Sequence, residues 1–297
     1  MGRNTIRRST VTILFSITLV AGIALQAQEA LPTRHVPDGS IAIGISMIDH
    51  PLVAEYIARY SSQAGLRGIQ SSLDAAVPFR RHIIETLRDA GIPDQLFFVA
   101  LIESGFDPYA VSRSGAVGIW QFMDHSIEDW MVINGDVDER RDFYRSTRGA
   151  VEKLRNNYLI FGDWMLAIAA YNAGVGHIQR ALTDTDSLTY RDLLETDALS
   201  QETRSYVPRF IAVSQIVSQA GRHGLVVPWD QSPEWTRLPL PAHTGIVRVS
   251  QESGVPITTL LEWNPHFRQS TTSTGTEEPG YLNVPVAYRH RFNWLLE

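Results

Sequence analysis

The 297-residue sequence has no cysteine. This excludes disulfides, a thiol nucleophile and metal sites built on thiolates. It also removes the residue through which an exported protein would carry an N-terminal lipid. A chain of this length can bury enough core to fold without disulfides. Basic residues are not in excess: 26 Lys and Arg stand against 32 Asp and Glu, a formal net charge of −6. With no basic run interleaved with aromatics, nucleic acid is not expected as a partner. His177 and His243 are scattered and lack metal-ligand spacing of the His-Glu-x-x-His kind, so neither a metal nor a cofactor is expected. Internal repeats are missing, and nothing points to an oligomer.

Only the N-terminus carries a long apolar run. Arg3, Arg7 and Arg8 precede the uncharged stretch Val11–Ala24 and then ALQAQEA. A basic start, an apolar middle and small residues near a cut site predict a secretory signal over residues 1–27 and export to the periplasm. The apolar stretch falls short of the roughly 20 residues that a bilayer span needs. The competing reading is an uncleaved anchor, which would leave the protein at the membrane periphery. Residues 28–47, rich in Pro, Gly and short polar side chains, read as a linker.

From His50 the pattern turns helical: Leu52, Tyr56 and Tyr60 fall at i, i+4 and i+8. Gly91-Ile92-Pro93 ends one helix and starts the next, predicted over Asp94–Glu103. Further helices are expected over Arg145–Leu159, over Trp164–Ala173 with Asp163 as cap and Gly174 as stop, and over Ser200–Ala220 with Pro208 inside it. Strand-like runs longer than four residues do not occur before position 225. The composition changes at Val226, where VVPWDQSPEWTRLPLP reads as a linker, placed over 226–240. The remainder, 241–297, reads as short strand, helix, polar loop and short strand, a separable α/β module. The fold expected is mainly α, with a small C-terminal α/β module.

Glu103 breaks its helix pattern. Leu96, Val99 and Ala100 precede it by seven, four and three residues and share its face. A carboxyl group pointing where apolar side chains point is partly desolvated, which raises its pKa. A carboxyl protonated near neutral pH can donate the proton that glycosidic cleavage requires. Periodicity alone also allows a glutamate exposed on the helix's last turn. Asp107 stands four residues on, but Asp-Pro is a common turn opener. Asp124-His125 has no ordered nucleophile beside it and reads as a solvated helix end.

The run IESGFDPYAVSRSGAVGIWQF resembles the catalytic signature of the soluble-lytic-transglycosylase family, the lysozyme-like enzymes of bacterial cell walls. AIAAYNAG (Ala167–Gly174) and QETRSYVPRF (Gln201–Phe210) resemble its later motifs, in the same order. The stretch DERRDFYRSTRGAVEKLRNNYLIFGDWMLAIAAYN is most similar to the family's membrane-bound D subfamily. The resemblance covers residues 48–225 and implies a lysozyme-like helical catalytic domain. The C-terminal module resembles a degenerate LysM-type domain, as in that subfamily.

Carried over residue by residue, the resemblance makes Glu103 the single catalytic acid/base. Ser104 becomes a structural support and Ser112 the serine near the reacting sugar. Gln121 becomes a cleft glutamine, and Tyr171 and Asn172 the motif pair beside the carboxylate. Glu202 and Tyr206 belong to the segment closing the cleft. Ser112, Gln121, Tyr171, Asn172, Glu202 and Tyr206 are thus the expected substrate-binding set. Trp120 stands where the family often has Met or Leu, and the cysteine that anchors many D-subfamily members is missing.

The implied substrate is the peptidoglycan glycan strand. Most glycosidases use two carboxylates, and a lone glutamate fits a different route. It protonates the glycosidic oxygen of the MurNAc-β-1,4-GlcNAc bond, then takes the proton from the C6 hydroxyl of the same muramic acid. That hydroxyl closes on C1 to give a 1,6-anhydro sugar. The alternatives are a lysozyme-type hydrolase of the same bond and a catalytically silent wall-binding protein.

Overall fold

A computed structural model of the chain describes residues 43–268 and 280–296. The expected signal, residues 28–42 of the expected linker 28–47 and most of the polar loop of the C-terminal module lie outside the described residues. Within them the protein is mainly helical.

Three helices open the chain: α1 (Pro51–Tyr60), α2 (Gln63–Ala76) and α3 (Arg80–Asp89). Ser62 caps α2 by accepting from the Gly65 amide at 3.1 Å, and Pro78 separates α2 from α3. The helix predicted over Asp94–Glu103 begins as a 3-10 turn, Asp94–Leu96, and continues as α4 (Phe97–Ser104). Two long helices follow, α5 (Phe143–Phe161) and α6 (Trp164–Ala173). Asp163 accepts from the Leu166 amide at 2.8 Å, so the cap read from sequence is in place. Two short helices, α7 (Val175–Thr185) and α8 (Tyr190–Leu194), lead to α9 (Gln201–Ser218).

Helix α9 is the core of this body. Val207, Phe210, Ile211, Ala212, Val213 and Ile216 are all buried, and it packs on α1, α4 and α6. It contains Pro208, which has no N–H to donate to the Arg204 carbonyl one turn earlier. The Tyr190 hydroxyl, from α8, fills that vacancy, donating to the carbonyls of Arg204 (3.0 Å) and Thr203 (2.9 Å).

The C-terminal part differs from the expectation in two places. The stretch 226–240, expected to be a linker, ends in strand β1 (Trp235–Leu240), antiparallel to β2 (Gly280–Pro285). Between the strands, where a short strand and one helix were expected, lie two helices, α10 (Ile246–Ser253) and α11 (Ile257–Trp263). Gly254, at φ +66°, ends the first, and Pro256 opens the second. Leu238, Val249, Leu260, Leu282 and Phe292 form a small core of their own.

This module is tied to the helical body. The sheet register sets Arg237 opposite Asn283, and both reach Asp142. Arg237 Nη2 lies 2.8 Å from Oδ2, and Asn283 Nδ2 lies 3.2 Å from Oδ1. Asp142 is also the N-cap of α5, accepting from the Tyr144 amide at 2.9 Å. Trp235 donates to the Pro78 carbonyl at 2.6 Å, and Asp138 N–H donates to the His266 carbonyl at 2.9 Å. Among the described residues, no helix is long and apolar enough to cross a membrane.

Candidate active site

Leu96, Val99 and Ala100 are completely buried, so the face of α4 read from sequence does point inward. Glu103 follows on that face and stays partly exposed. Gly105 stops the helix at φ +64°, and a Cβ there would lie 2.8 Å from the Ser72 hydroxyl. Phe106 is left-handed too, at φ +67°, a conformation costly for a bulky residue. Its buried ring, 4.6 Å from Phe97, fixes it. The chain therefore reverses sharply right after the carboxyl group.

Asp107 then accepts from the Tyr109 amide at 2.8 Å. It is exposed and serves the turn, as its Asp-Pro context suggests. The following loop folds back through the bridges Val111–Val117 and Val117–Phe122. Gly118, at φ +83°, presses against residue 140: a Cβ would meet the Arg140 carbonyl oxygen at 2.1 Å. Only glycine fits that approach. Ser104 donates to the Ile119 carbonyl at 2.8 Å and so pins the loop to the end of α4.

The Tyr206 hydroxyl, from α9, donates to Glu103 Oε1. Sequence reading placed Tyr206 in the segment closing the cleft and gave the approach to the carboxylate to Tyr171. In the structure Tyr206 makes the bond, while the Tyr171 hydroxyl donates to the Trp120 carbonyl at 2.9 Å. Both tyrosines are buried, and both hydroxyls are committed to protein acceptors. Burial pushes the Glu103 carboxyl up to about 7. The Tyr206 hydrogen bond and the charges of Arg209 and Lys153 oppose that rise, and Glu202 adds to it. Lys153 Nζ sits 4.5 Å over the Tyr171 ring.

Of the other expected residues, Glu202 acts on Glu103 through its charge. Asn172 Nδ2 donates to Glu202 Oε1 at 3.0 Å and its Oδ1 accepts from Thr203 at 3.1 Å; the pair joins the end of α6 to the start of α9. Gln121, strained at φ +49°, turns its Nε2 toward the carbonyls of Gly118 (2.9 Å) and Ala110 (3.3 Å). The Ser112 hydroxyl accepts from the Ala116 amide at 2.9 Å and bonds Ser114 at 3.0 Å, closing its own turn. Asp124 and His125 are exposed on a 3-10 turn. No group of three or more His, Asp or Glu among the described residues could hold a metal ion.

Sequence reading did not single out Arg209 or Lys153. Arg209 lies in the quoted motif YVPRF, one turn after Tyr206, and that spacing was the available signal. Chemically the arrangement is a partly desolvated carboxyl group, protonated near neutrality and held by a phenol, with the Glu202 carboxylate near enough to act on it.

Comparison with known proteins matches residues 82–194 to the family described as Transglycosylase SLT domain. Membrane-bound lytic murein transglycosylase D of Escherichia coli, in strains K12 and O6:H1, is 30% identical over 213 residues. That alignment spans 71% of this chain and 47% of each relative, so the chain matches about half the length of those proteins. An inactive mutant of the lytic transglycosylase Slt from Pseudomonas aeruginosa is 24% identical, with a TM-score of 0.42, over 52% of this chain and 26% of that one.

Proposed function

We propose, from the premise that this chain carries a transglycosylase SLT domain over residues 82–194, that it cleaves peptidoglycan glycan strands as a lytic transglycosylase. The observation that carries this reading is Glu103: a carboxyl at the end of a buried helix face, titrating at about 7 and bonded by Tyr206. Such a group is protonated often enough to donate at neutral pH and basic enough to take a proton back.

Glu103 gives its proton to the glycosidic oxygen between MurNAc and GlcNAc, and the C1–O bond breaks. The substrate's 2-acetamido group stabilises the sugar cation. Glu103, now a carboxylate, removes the proton from the C6 hydroxyl, whose oxygen bonds C1. The products are a GlcNAc end and a 1,6-anhydro-MurNAc end, with no water consumed and the carboxyl group reprotonated. Holding the C6 hydroxyl against C1 within one sugar supplies much of the rate. Gln121, Asn172, Glu202 and Ser112 line the glycan path, while Tyr171 and Tyr206 hold the loop and the acid in place.

Glu202 favours a second reading. Its carboxylate is near enough to raise the pKa of Glu103, and as a base it could activate water, giving a lysozyme-type hydrolase. Product mass separates the two. Digests of purified sacculi should contain anhydromuropeptides resistant to borohydride. Reducing ends would establish the hydrolase, and no released material would leave a wall-binding protein.

The βααβ order of 235–285 supports a LysM-like module that holds glycan beside the catalytic body. Signal-directed export to the periplasm completes the reading, and N-terminal sequencing of exported protein tests it: an intact Met1 in a membrane fraction would overturn it.

A further inference from the structure

We infer that Arg209 is a positioning residue for Glu103, gripping the last turn of α4 from α9 while presenting its charge to the carboxyl group; the inference rests on the transglycosylase reading above. Helix α4 ends one residue after Glu103, so the backbone carrying the acid is a helix end with open carbonyls. The Leu101 carbonyl accepts from Gly105 N–H and the Ser104 carbonyl from Asp107 N–H. The Ile102 carbonyl, next to Glu103 in sequence, accepts from Arg209 Nη2 at 2.9 Å. Arg209 Nε donates in turn to the Tyr60 hydroxyl of α1 at 3.1 Å. A planar guanidinium can make both bonds at once, and a cation at a helix C-terminus also suits the helix dipole.

Tyr206, three residues earlier on the same face of α9, donates to the Glu103 carboxyl itself. One helix face therefore holds both the acid and the main chain behind it. The groups facing Glu103 are Tyr206, Arg209 and Glu202 from α9, Lys153 from α5 and Tyr171 from α6. Among them Arg209 alone touches the helix that bears the acid by way of its main chain. Displacing an acid by about 1 Å can cost up to ~10²-fold in rate, so this grip matters to turnover more than to binding.

The test uses the full chain on purified sacculi, following soluble product across pH. Arg209→Met should lower kcat by about tenfold or more, with KM changed less than about twofold. It should also move the alkaline limb of kcat/KM to higher pH. The acid must be protonated to act, and it loses a neighbouring cation. Arg209→Lys should return the limb toward wild type yet leave kcat low, because an ammonium cannot span the Ile102 carbonyl and the Tyr60 hydroxyl together. Tyr60→Phe keeps the charge and should lower kcat without moving the limb. An unmoved limb in Arg209→Met, or a rise in KM alone, would overturn the inference. If Arg209→Met does not fold, wild-type kcat in both Arg209→Lys and Tyr60→Phe does the same. If the wild type releases no product, the reaction assignment has failed instead. Carbon NMR titration of the Glu103 carboxyl then decides, since Arg209→Met must raise its midpoint and an unchanged midpoint refutes the role.

Discussion

Glu103 and Asp142 are two carboxyl groups of the same protein, one partly and one wholly withdrawn from solvent, and their pKa values shift in opposite directions. Burial raises Glu103 to about 7. Asp142 is fully buried, which pushes its pKa up, yet His266, Arg237, the Tyr144 amide and Asn283 together hold it below the usual carboxylate range. Asp142 receives a guanidinium at 2.8 Å, a backbone N–H at 2.9 Å and an amide at 3.2 Å. Glu103 receives one phenol, and it feels Arg209, which is engaged with the Ile102 carbonyl and Tyr60. Burial alone therefore does not decide the state of a carboxyl group; the charges and donors aimed at it can outweigh it. One group is poised to exchange a proton. The other is a fixed anion that joins the C-terminal module to the helical body.

The largest expected effect breaks the comparison on the Glu103 side. Glu103→Gln keeps shape and hydrogen bonding but cannot donate a proton and retrieve it. Anhydromuropeptide release from sacculi should fall by at least ~10²–10⁴-fold, with glycan binding retained. Near-normal release would remove Glu103 from the chemistry.

On the other side, Asp142→Ala strands Arg237 against the module interface. Breaking a buried pair by removing one partner costs about 3–5 kcal/mol, to be read as a lower midpoint in urea unfolding. A loss below about 1 kcal/mol, the range of an exposed pair, would mean the module interface opens readily in solution.

Proton linkage separates the two carboxyls by sign. The folded pKa of Glu103 lies above its unfolded value, so its contribution to stability is fully present below about 4.5 and lost as pH rises through about 7. Glu103→Gln should match wild type in Tm near pH 4 and exceed it above pH 7, by up to ~3 kcal/mol of stability. The folded pKa of Asp142 is depressed, so its contribution holds above the ordinary carboxylate range and is lost on acidification. Differential scanning calorimetry of the two variants across pH should give difference curves of opposite slope, and parallel curves would contradict the comparison.

A smaller change sharpens it. Tyr206→Phe removes the hydrogen bond that the Tyr206 hydroxyl gives Glu103, which favours the carboxylate. The alkaline limb of kcat/KM should move upward in pH, and kcat should fall by about tenfold, the scale of one bond to a charged group. A pH profile unchanged in position would show that the phenol braces the chain without tuning the acid.

Much of this was legible in the sequence, and the reason is local. The face of α4, the Asp163 cap, the Gly174 stop and the turn at Asp107 all follow from neighbours within one or two helical turns. The bonds that define the two carboxyls do not. Tyr206 meets Glu103 across 103 positions and Arg237 meets Asp142 across 95; periodicity tells which face a residue occupies, not what it meets there. Strand β1 was hidden because Pro228, Pro233, Pro239 and Pro241 made its surroundings read as a linker. A two-stranded sheet accepts Pro239 because an edge strand can lack a donor on its outer side. The segment before Gly254 and Pro256 read as a short strand because it is short and rich in β-branched residues, and it folds instead as helix α10.

The hydroxyl of Tyr190 has a consequence beyond geometry. Because Pro208 cannot serve the Arg204 carbonyl, the middle of α9 is complete only while α8 is docked. Opening α8 alone would strip a hydrogen bond from the helix that bears Tyr206 and Arg209, so the two segments should open together as one cooperative unit. Native-state amide exchange should then show α8 and the first half of α9 sharing one opening free energy, although α8 is only five residues long. Tyr190→Phe should split that shared value in two.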